Sequence, residues 1–308
     1  MPESAVGPPG PVLVTGGTGF IGSHLVARLA QTGAEVHAVS RQDVPHPSRM
    51  VRWWRADLAE LGAVQGLVRA VRPAVIFHLA SYVAGARNLA LVIPTFASNL
   101  TSTVNLLTAA AEVGDARVVL AGSMEEPESG AEAEVPCSPY AAAKFAASGY
   151  ARMFHALFGL PVVTLRLFMV YGPGQRDLNK LVPYVIVSLL RGEPPRLMSG
   201  ARAVDWIFVA DVVEALMAAA GARGIEGATI DVGSGELVTV KEIVERLVAI
   251  INPGVEPCFG AVPDRVRERI SVADVRRSQS LLGWQPSMLL DGGLRRTVDW
   301  YRAAASLE

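Results

Sequence analysis

Val12-Leu13-Val14-Thr15-Gly16-Gly17-Thr18-Gly19-Phe20-Ile21-Gly22 is the stretch on which the reading of this chain turns. Val12–Thr15 is a short apolar run, the pattern of a strand buried on both faces. The glycines then turn the chain, and over 24–31 the residues Leu25, Val26 and Leu29 recur at helical spacing. Strand, glycine turn and helix aim backbone N–H groups and a positive helix end at one point, the arrangement that holds the pyrophosphate of a dinucleotide. Gly17 and Gly22 carry no Cβ, so a nucleotide can approach closely and the helix can pack tightly on the strand. A G-x-x-G-x-x-G alone is often an ordinary turn; the strand before it and the helix after it give it meaning.

The same alternation continues downstream. Apolar runs predict strands over 35–39, 51–54, 74–80, 117–123 and 162–168, and helical spacing predicts helices over 61–71, 94–113 and 140–158. Alternating strands and helices joined by right-handed crossovers make a parallel sheet with helices on both faces. Ligands then gather beyond the carboxyl ends of the strands, where Gly16, Arg41, Leu79, Ala80 and Ser123 fall. From Tyr171 onward the rhythm gives way to loops, shorter strands and isolated helices. The expected division is a nucleotide-binding domain over 11–172 and a smaller lobe over 173–308, with segments returning to the first. The second strand ends in Ser40-Arg41. An acidic residue there would bond the ribose hydroxyls of NAD, whereas serine and arginine suit a 2′-phosphate, so NADP(H) is favoured and NAD(H) is the alternative.

Composition narrows the class. A chain of 308 residues with 51% hydrophobic and 19% charged content buries a large core and is not disordered. A net charge of -1 gives no general attraction to nucleic acid or to anionic membranes, so a bound anion must be held by local arginines or helix ends. Cys137 and Cys258 lie far apart, without metal-ligand spacing, and read as free thiols of a cytoplasmic protein with no metal site. No uninterrupted apolar run reaches about 18 residues, so no membrane span is expected. Leu89 to Ile93 is the greasiest patch, and Pro94 is expected to end it. The acidic stretch 125–135 is expected to be a mobile loop near the site.

Tyr140 and Lys144 stand at i and i+4 on the expected helix, side by side on one face. Ser123 ends the preceding strand. An ammonium beside a phenol, together with an oxidised nicotinamide, favours the phenolate and lowers its pKa toward the working pH. Tyr140 can then exchange a proton with an oxygen whose carbon exchanges hydride, while Ser123 hydrogen-bonds that oxygen as charge develops on it.

These pieces resemble the extended short-chain dehydrogenase/reductases of the nucleotide-sugar epimerase, dehydratase and reductase family. The matching residues are Thr15 to Gly22, Asp57-Leu58, His78-Leu79-Ala80, Asn99, Ser123, Tyr140-x-x-x-Lys144, Arg166-x-Phe168 with Tyr171-Gly172-Pro173-Gly174, Asp205-Trp206-Ile207 with Val209-x-Asp211, and Leu282-Gly283-Trp284-x-Pro286. The resemblance implies a Rossmann-type doubly wound parallel sheet with a smaller C-terminal lobe that binds a nucleotide sugar. Its implied catalytic set is Ser123, Tyr140, Lys144 and Glu125. Implied cofactor contacts are Gly16, Gly19, Phe20, Ile21, Gly22, Ser40, Arg41, Asp57, Leu58, Leu79, Ala80, Ser81, Asn99, Tyr140 and Lys144. Implied substrate contacts are Ser81, Tyr82, Met124, Met169, Lys180, Val182, Arg202, Arg265 and Arg267. It also implies a homodimer formed by the helices near 94–113 and 139–158 as a four-helix bundle.

The departures from the family pattern bear on the reaction. Similar 4,6-dehydratases carry an Asp-Glu pair after the serine or threonine, and this chain has Met124-Glu125. A thioether cannot protonate a leaving hydroxyl, so water elimination loses its acid. Met169 replaces a usual asparagine, and Arg202 is displaced two residues from its usual place. The sequence therefore favours an NADP(H)-dependent reductase of a nucleoside-diphosphate 4-keto-6-deoxyhexose, with hydride delivered to C4 and Tyr140 as acid. The alternative is an NAD-dependent 4-epimerase of a nucleotide sugar or uronate, which uses the same Ser123, Tyr140 and Lys144. A catalytically idle, cofactor-sensing protein is disfavoured by the complete acid–base set.

Overall fold

The computed structural model describes residue 8 and residues 10–44, 50–127, 135–265 and 270–305. Its strands are β1 (Val12–Thr15), β2 (Val36–Ser40), β3 (Val51–Arg55), β4 (Val75–His78), β5 (Arg117–Ser123), β6 (Val162–Leu167), β7 (Met169–Tyr171), β8 (Ala203–Phe208), β9 (Thr229–Val232) and β10 (Leu237–Thr239). The apolar runs of β1, β2, β4, β5 and β6 are buried along nearly their whole length, as strands covered on both faces must be. They belong to a seven-stranded sheet of order β3-β2-β1-β4-β5-β6-β9. Neighbours from β3 to β6 run parallel, and Thr15 lies level with His78. The strand order reverses between β1 and β4, which opens a crevice beyond their carboxyl ends.

Helices α1 (Phe20–Gln31) and α2 (Leu61–Val71) follow β1 and β3. Leu25, Val26 and Leu29 are the buried stripe of α1, as their spacing predicts. On α2 the stripe is Val64, Leu67, Val68 and Val71, packed in one cluster with Leu13, Ile76, Val118 and Leu120 of the sheet.

The helix expected over 94–113 starts earlier and is less regular. A 3₁₀ turn, Leu89–Leu91, leads into α3 (Val92–Thr95), then a π-helical segment, Phe96–Thr101, then α4 (Ser102–Val113). Pro94 does not end the apolar patch because it sits in the first turn of α3, where a backbone N–H has no intrahelical acceptor to lose. Asn88 caps the start, accepting from the Ala90 N–H at 3.0 Å. Taken as one helix, Leu89–Val113 is long and apolar enough to cross a membrane by length and composition. Leu106, Leu107, Ala109 and Ala110 of this helix lie in the core cluster described above.

Helix α5 (Pro139–Phe158) opens on Ser138, whose hydroxyl accepts from the Ala141 N–H at 3.1 Å, with proline in the first turn. Later helices are α6 (Leu181–Leu190), α7 (Val209–Gly221), α8 (Val240–Ile251), α9 (Val275–Leu282) and α10 (Leu290–Ala305). The chain forms two compact units. The first runs to Leu167 and takes in Val213–Asp231 and Arg277–Trp284; the second comprises Phe168–Val212, Val232–Arg276 and the residues from Gln285.

The second unit contains a three-stranded sheet, β10-β8-β7, with β7 parallel and β10 antiparallel to β8. Asp205, fully buried on β8, accepts from the Ser234 N–H at 2.6 Å, the Ser234 hydroxyl at 2.8 Å, the Gly235 N–H at 2.9 Å and the Ala273 N–H at 3.0 Å. Asp211 accepts from the Ser287 hydroxyl at 2.7 Å and the Met288 N–H at 3.0 Å. These two acids of the family-like motif are internal staples: each buried carboxylate is stabilised by donors from loops it fastens.

Candidate active site

The glycine turn is shaped by space. Gly16 has φ +70, and a Cβ there would lie 2.7 Å from the Ala80 nitrogen, so the loop passes directly over the end of β4. A Cβ on Gly22 would lie 2.0 Å from the Gly16 carbonyl oxygen, so α1 sits hard against the loop. Gly19 occupies the N-cap of α1 without a side-chain cap, which leaves the first-turn N–H groups of this helix end for a ligand. Gly17 differs from the sequence expectation of close approach by a nucleotide. A Cβ there would meet Ala38 at 3.1 Å and the Trp53 ring at 3.2 Å, so its smallness serves packing on β2 and β3. The geometry fits a dinucleotide: a loop with no side chains in the way, a helix end with polar hydrogens exposed, and the switch-point crevice beneath.

Around this cradle lie the other expected cofactor contacts of the first unit. Ser40 ends β2, and its hydroxyl accepts from the Gln42 N–H at 3.2 Å; Arg41 is exposed. Asp57 accepts from the Ala59 N–H at 3.0 Å, shaping the turn that carries buried Leu58. Asn99, 1% exposed, is engaged by the main chain. Its amide accepts from the Tyr82 N–H at 2.7 Å and donates to the Tyr82 carbonyl at 3.2 Å. It therefore pins the segment Leu79-Ala80-Ser81-Tyr82, in which the buried Ser81 hydroxyl has no protein partner.

His78, 1% exposed, ties that segment to the sheet. The Thr103 hydroxyl donates its one hydrogen to the Asn99 carbonyl at 2.6 Å, so toward His78 Nε2, 3.0 Å away, it can only accept. His78 therefore carries its proton on Nε2, and Nδ1 accepts from the Thr15 hydroxyl at 2.8 Å. The same Thr15 oxygen accepts from the Ala80 N–H at 3.2 Å. Burial, reinforced by the charge of Lys144, lowers the His78 pKa from 6.5 to about 3. Between those values the unfolded chain binds a proton that the folded protein does not, so stability falls as pH drops below the unfolded value. The contribution of this one group is up to about 1.4 kcal/mol per pH step. Urea unfolding of the wild type between pH 7 and pH 5 is expected to lose stability more steeply than that of His78→Gln, and equal slopes would refute the assignment.

Ser123, Tyr140 and Lys144 come together as expected. All three are buried, at 7%, 9% and 4% exposure. The Ser123 hydroxyl lies near enough to the Tyr140 phenol to favour its ionised form. Lys144 donates to the Ala121 carbonyl at 2.8 Å, and its nitrogen lies 6.0 Å from the Tyr140 ring centre. Burial lowers the Lys144 pKa from 10.5 to about 8, partly opposed by Glu126. Tyr140 departs from the expected lowering. Burial raises its pKa above the ordinary value, the nearby Ser123 hydroxyl opposes the rise, and Glu125 and Glu126 add to it. In the protein by itself desolvation and the two carboxylates outweigh the Ser123 hydroxyl, because a phenolate loses its hydration and meets like charge.

The acidic stretch after β5 is not a uniform loop. Half-buried Glu125 faces the start of α5, accepting from the Ser138 hydroxyl at 3.4 Å, and its own N–H donates to the Ser123 hydroxyl at 3.2 Å. Met124 is buried, its N–H donating to the Leu167 carbonyl at 2.9 Å. Glu126 is 5% exposed, a buried acid within a stretch whose charge pattern predicts a solvated loop. Residues 128–134 of that expected loop lie outside the described residues. Tyr82 is exposed beside the cradle. The remaining expected substrate contacts belong to the second unit: Met169 on β7 opposite Trp206, Lys180 at the N-cap of α6, buried Val182, half-buried Arg202 before β8, and exposed Arg265. Arg267 lies outside the described residues.

Comparison with known proteins bears on this geometry. Residues 12–233 match the NAD dependent epimerase/dehydratase family. A UDP-glucose 4-epimerase of Mycolicibacterium smegmatis is 32% identical over 312 residues, covering 94% of this chain and 98% of the relative. A dTDP-glucose 4,6-dehydratase of an Actinoplanes species is 30% identical over 319 residues, covering 96% and 98%. The solved complex of MoeE5 with UDP-glucose and NAD superposes with a TM-score of 0.84 at 35% identity, covering 96% of this chain and 100% of that one.

Proposed function

Because the chain belongs to the NAD dependent epimerase/dehydratase family, we propose that it is a 4-epimerase of a uridine-diphosphate hexose or hexuronate that keeps its NAD through the cycle. The observation that carries this reading is the buried Ser123–Tyr140–Lys144 set with a thioether, Met124, directly after the serine. That set can move a proton at a sugar O4, but it lacks the acid that would expel water from the neighbouring carbons. The relatives support the epimerase better than the reductase favoured by sequence, since the named activities include UDP-glucose 4-epimerase. One observation favours reduction: Ser40 and exposed Arg41 at the end of β2 suit a 2′-phosphate.

When bound, NAD supplies the acceptor and later the donor of hydride at the sugar C4. Gly16, Gly19 and the first turn of α1 would hold its pyrophosphate, and Lys144 its nicotinamide ribose. Tyr140 takes the proton from O4 on oxidation and returns it on reduction, and Ser123 donates to the same oxygen as negative charge develops. Lys144, protonated, lowers the cost of the phenolate once the positive nicotinamide adds to it. Exposed Leu89, Ile93 and Phe96 on one helix and Phe145, Leu157 and Phe158 on α5 support a homodimer closed by a four-helix bundle.

Native mass spectrometry of the purified protein tests both halves of this reading. The expected species weighs twice the 32.6 kDa chain and retains NAD, and the protein interconverts UDP-glucose and UDP-galactose without added cofactor. A monomer would remove the bundle. An empty protein that binds NADPH far better than NADH, and loses that preference in Arg41→Asp, would transfer the assignment to the 4-keto reductase.

A further inference from the structure

The buried acid just beyond Ser123 is unused by the mechanism above. The Glu126 carboxylate accepts from the Ser123 N–H at 2.7 Å through Oε1 and from the Ser148 hydroxyl at 2.6 Å through Oε2. Ser148 lies one helical turn beyond Lys144, on the same buried face of α5 as Tyr140. A single carboxylate therefore spans from the end of β5, where the serine stands, to the helix that carries the other two groups. The backbone makes room for it. A Cβ on Gly122 would lie 2.8 Å from Glu126 Oε1 and 2.9 Å from Thr164 Cγ2, so the residue before the serine must be glycine for the acid to enter. A carboxylate is retained at 5% exposure only where donors and a countercharge offset its lost hydration.

We propose that Glu126 is a positioning residue for the reaction, its buried carboxylate fastening the Ser123 main chain to α5 and supplying the countercharge of Lys144. This rests on the assignment of Ser123, Tyr140 and Lys144 as the reacting set. The charged and titratable groups that meet here are His78 from β4, Tyr140 and Lys144 from α5, and Glu125 and Glu126 from the segment after β5. Glu126 favours the protonated Lys144, and both carboxylates disfavour the Tyr140 phenolate. Neutralising Glu126 therefore lets both groups give up their protons at lower pH.

The test exploits the scarcity of lysine. The chain has three, Lys144, Lys180 and Lys241, so protein labelled with ¹³Cε-lysine gives a sparse NMR spectrum in which Lys144→Met identifies the site signal. In the wild type that signal is expected to titrate at about 8. In Glu126→Gln, which keeps an oxygen toward Ser123 and an amide toward Ser148, its proton affinity is expected to fall by about tenfold. Ser148→Ala removes a hydrogen bond and keeps the charge, so its midpoint should stay with the wild type. This readout needs no substrate, so it stands even if the protein proves inactive on UDP-glucose. On a sugar that the wild type turns over, the pH–rate profile of Glu126→Gln should move to lower pH with reduced kcat and little change in KM. An unmoved lysine midpoint, or a profile that keeps its position while only thermal stability drops, would overturn the proposal.

Discussion

Tyr140→Phe is expected to lower turnover by about 100- to 10,000-fold while the protein still binds its dinucleotide, the usual cost of losing a positioned acid–base group. The substitution removes one oxygen from a side chain that is 9% exposed and leaves the ring in its packing. Ser123 keeps its place, because its main-chain N–H donates to Glu126 at 2.7 Å. Burial, with Glu125 and Glu126, raises the phenol pKa in the protein, so a further positive charge must bring it into range. A bound oxidised nicotinamide would supply that charge, and Tyr140 would then exchange its proton only in the cofactor-loaded protein. The check is kcat with the natural sugar alongside dinucleotide retention. Activity within about tenfold of the wild type would displace Tyr140 from the role of acid and base.

The second large effect is expected at Gly22. Alanine there would place its Cβ 2.0 Å from the Gly16 carbonyl oxygen, a backbone atom that cannot swing aside. Either α1 withdraws from the loop or the loop opens, and in both cases the N–H groups no longer converge on one anion. Gly22→Ala should lose retained dinucleotide and about 3 kcal/mol of stability, the upper range for forcing atoms into a packed site. Gly66→Ala on α2 is the control: nothing lies within 4 Å of the place its new methyl would take, and alanine is the better helix former by about 1 kcal/mol. Urea midpoints for both variants, with native masses, test this. A Gly22→Ala protein that retains its dinucleotide and melts like wild type would contradict the close packing of α1 on the glycine turn.

Most of the fold was legible in local patterns. The runs at Val12–Thr15 and Arg117–Ser123, the stripe on Leu61–Val71 and the pair Tyr140 and Lys144 each depend on a strand or helix period, which a few adjacent residues set by themselves. The glycine turn and the grouping of Ser123, Tyr140 and Lys144 were readable for the same reason. Pro94 misled, because its effect depends on where a helix starts, and that is decided by the Asn88 cap six residues earlier.

Roles that depend on partners distant along the chain were not readable in this way. Asp205 reads as a motif acid and is a staple to Ser234, Gly235 and Ala273. Asn99 reads as a cofactor contact and bonds Tyr82 at both ends of its amide. Glu126 sits in an acidic run that looks solvated, yet tertiary packing closes over it and hands it Ser123 and Ser148. Charge state follows the same division: spacing puts a lysine beside a tyrosine, but only the depth of burial decides which way each pKa moves. Periodicity is a property of neighbours in the chain, and so the sheet, the cradle and the trio were already written in the order of the residues. Desolvation and hydrogen-bond partnership are properties of neighbours in space, and these come into being only when the chain folds.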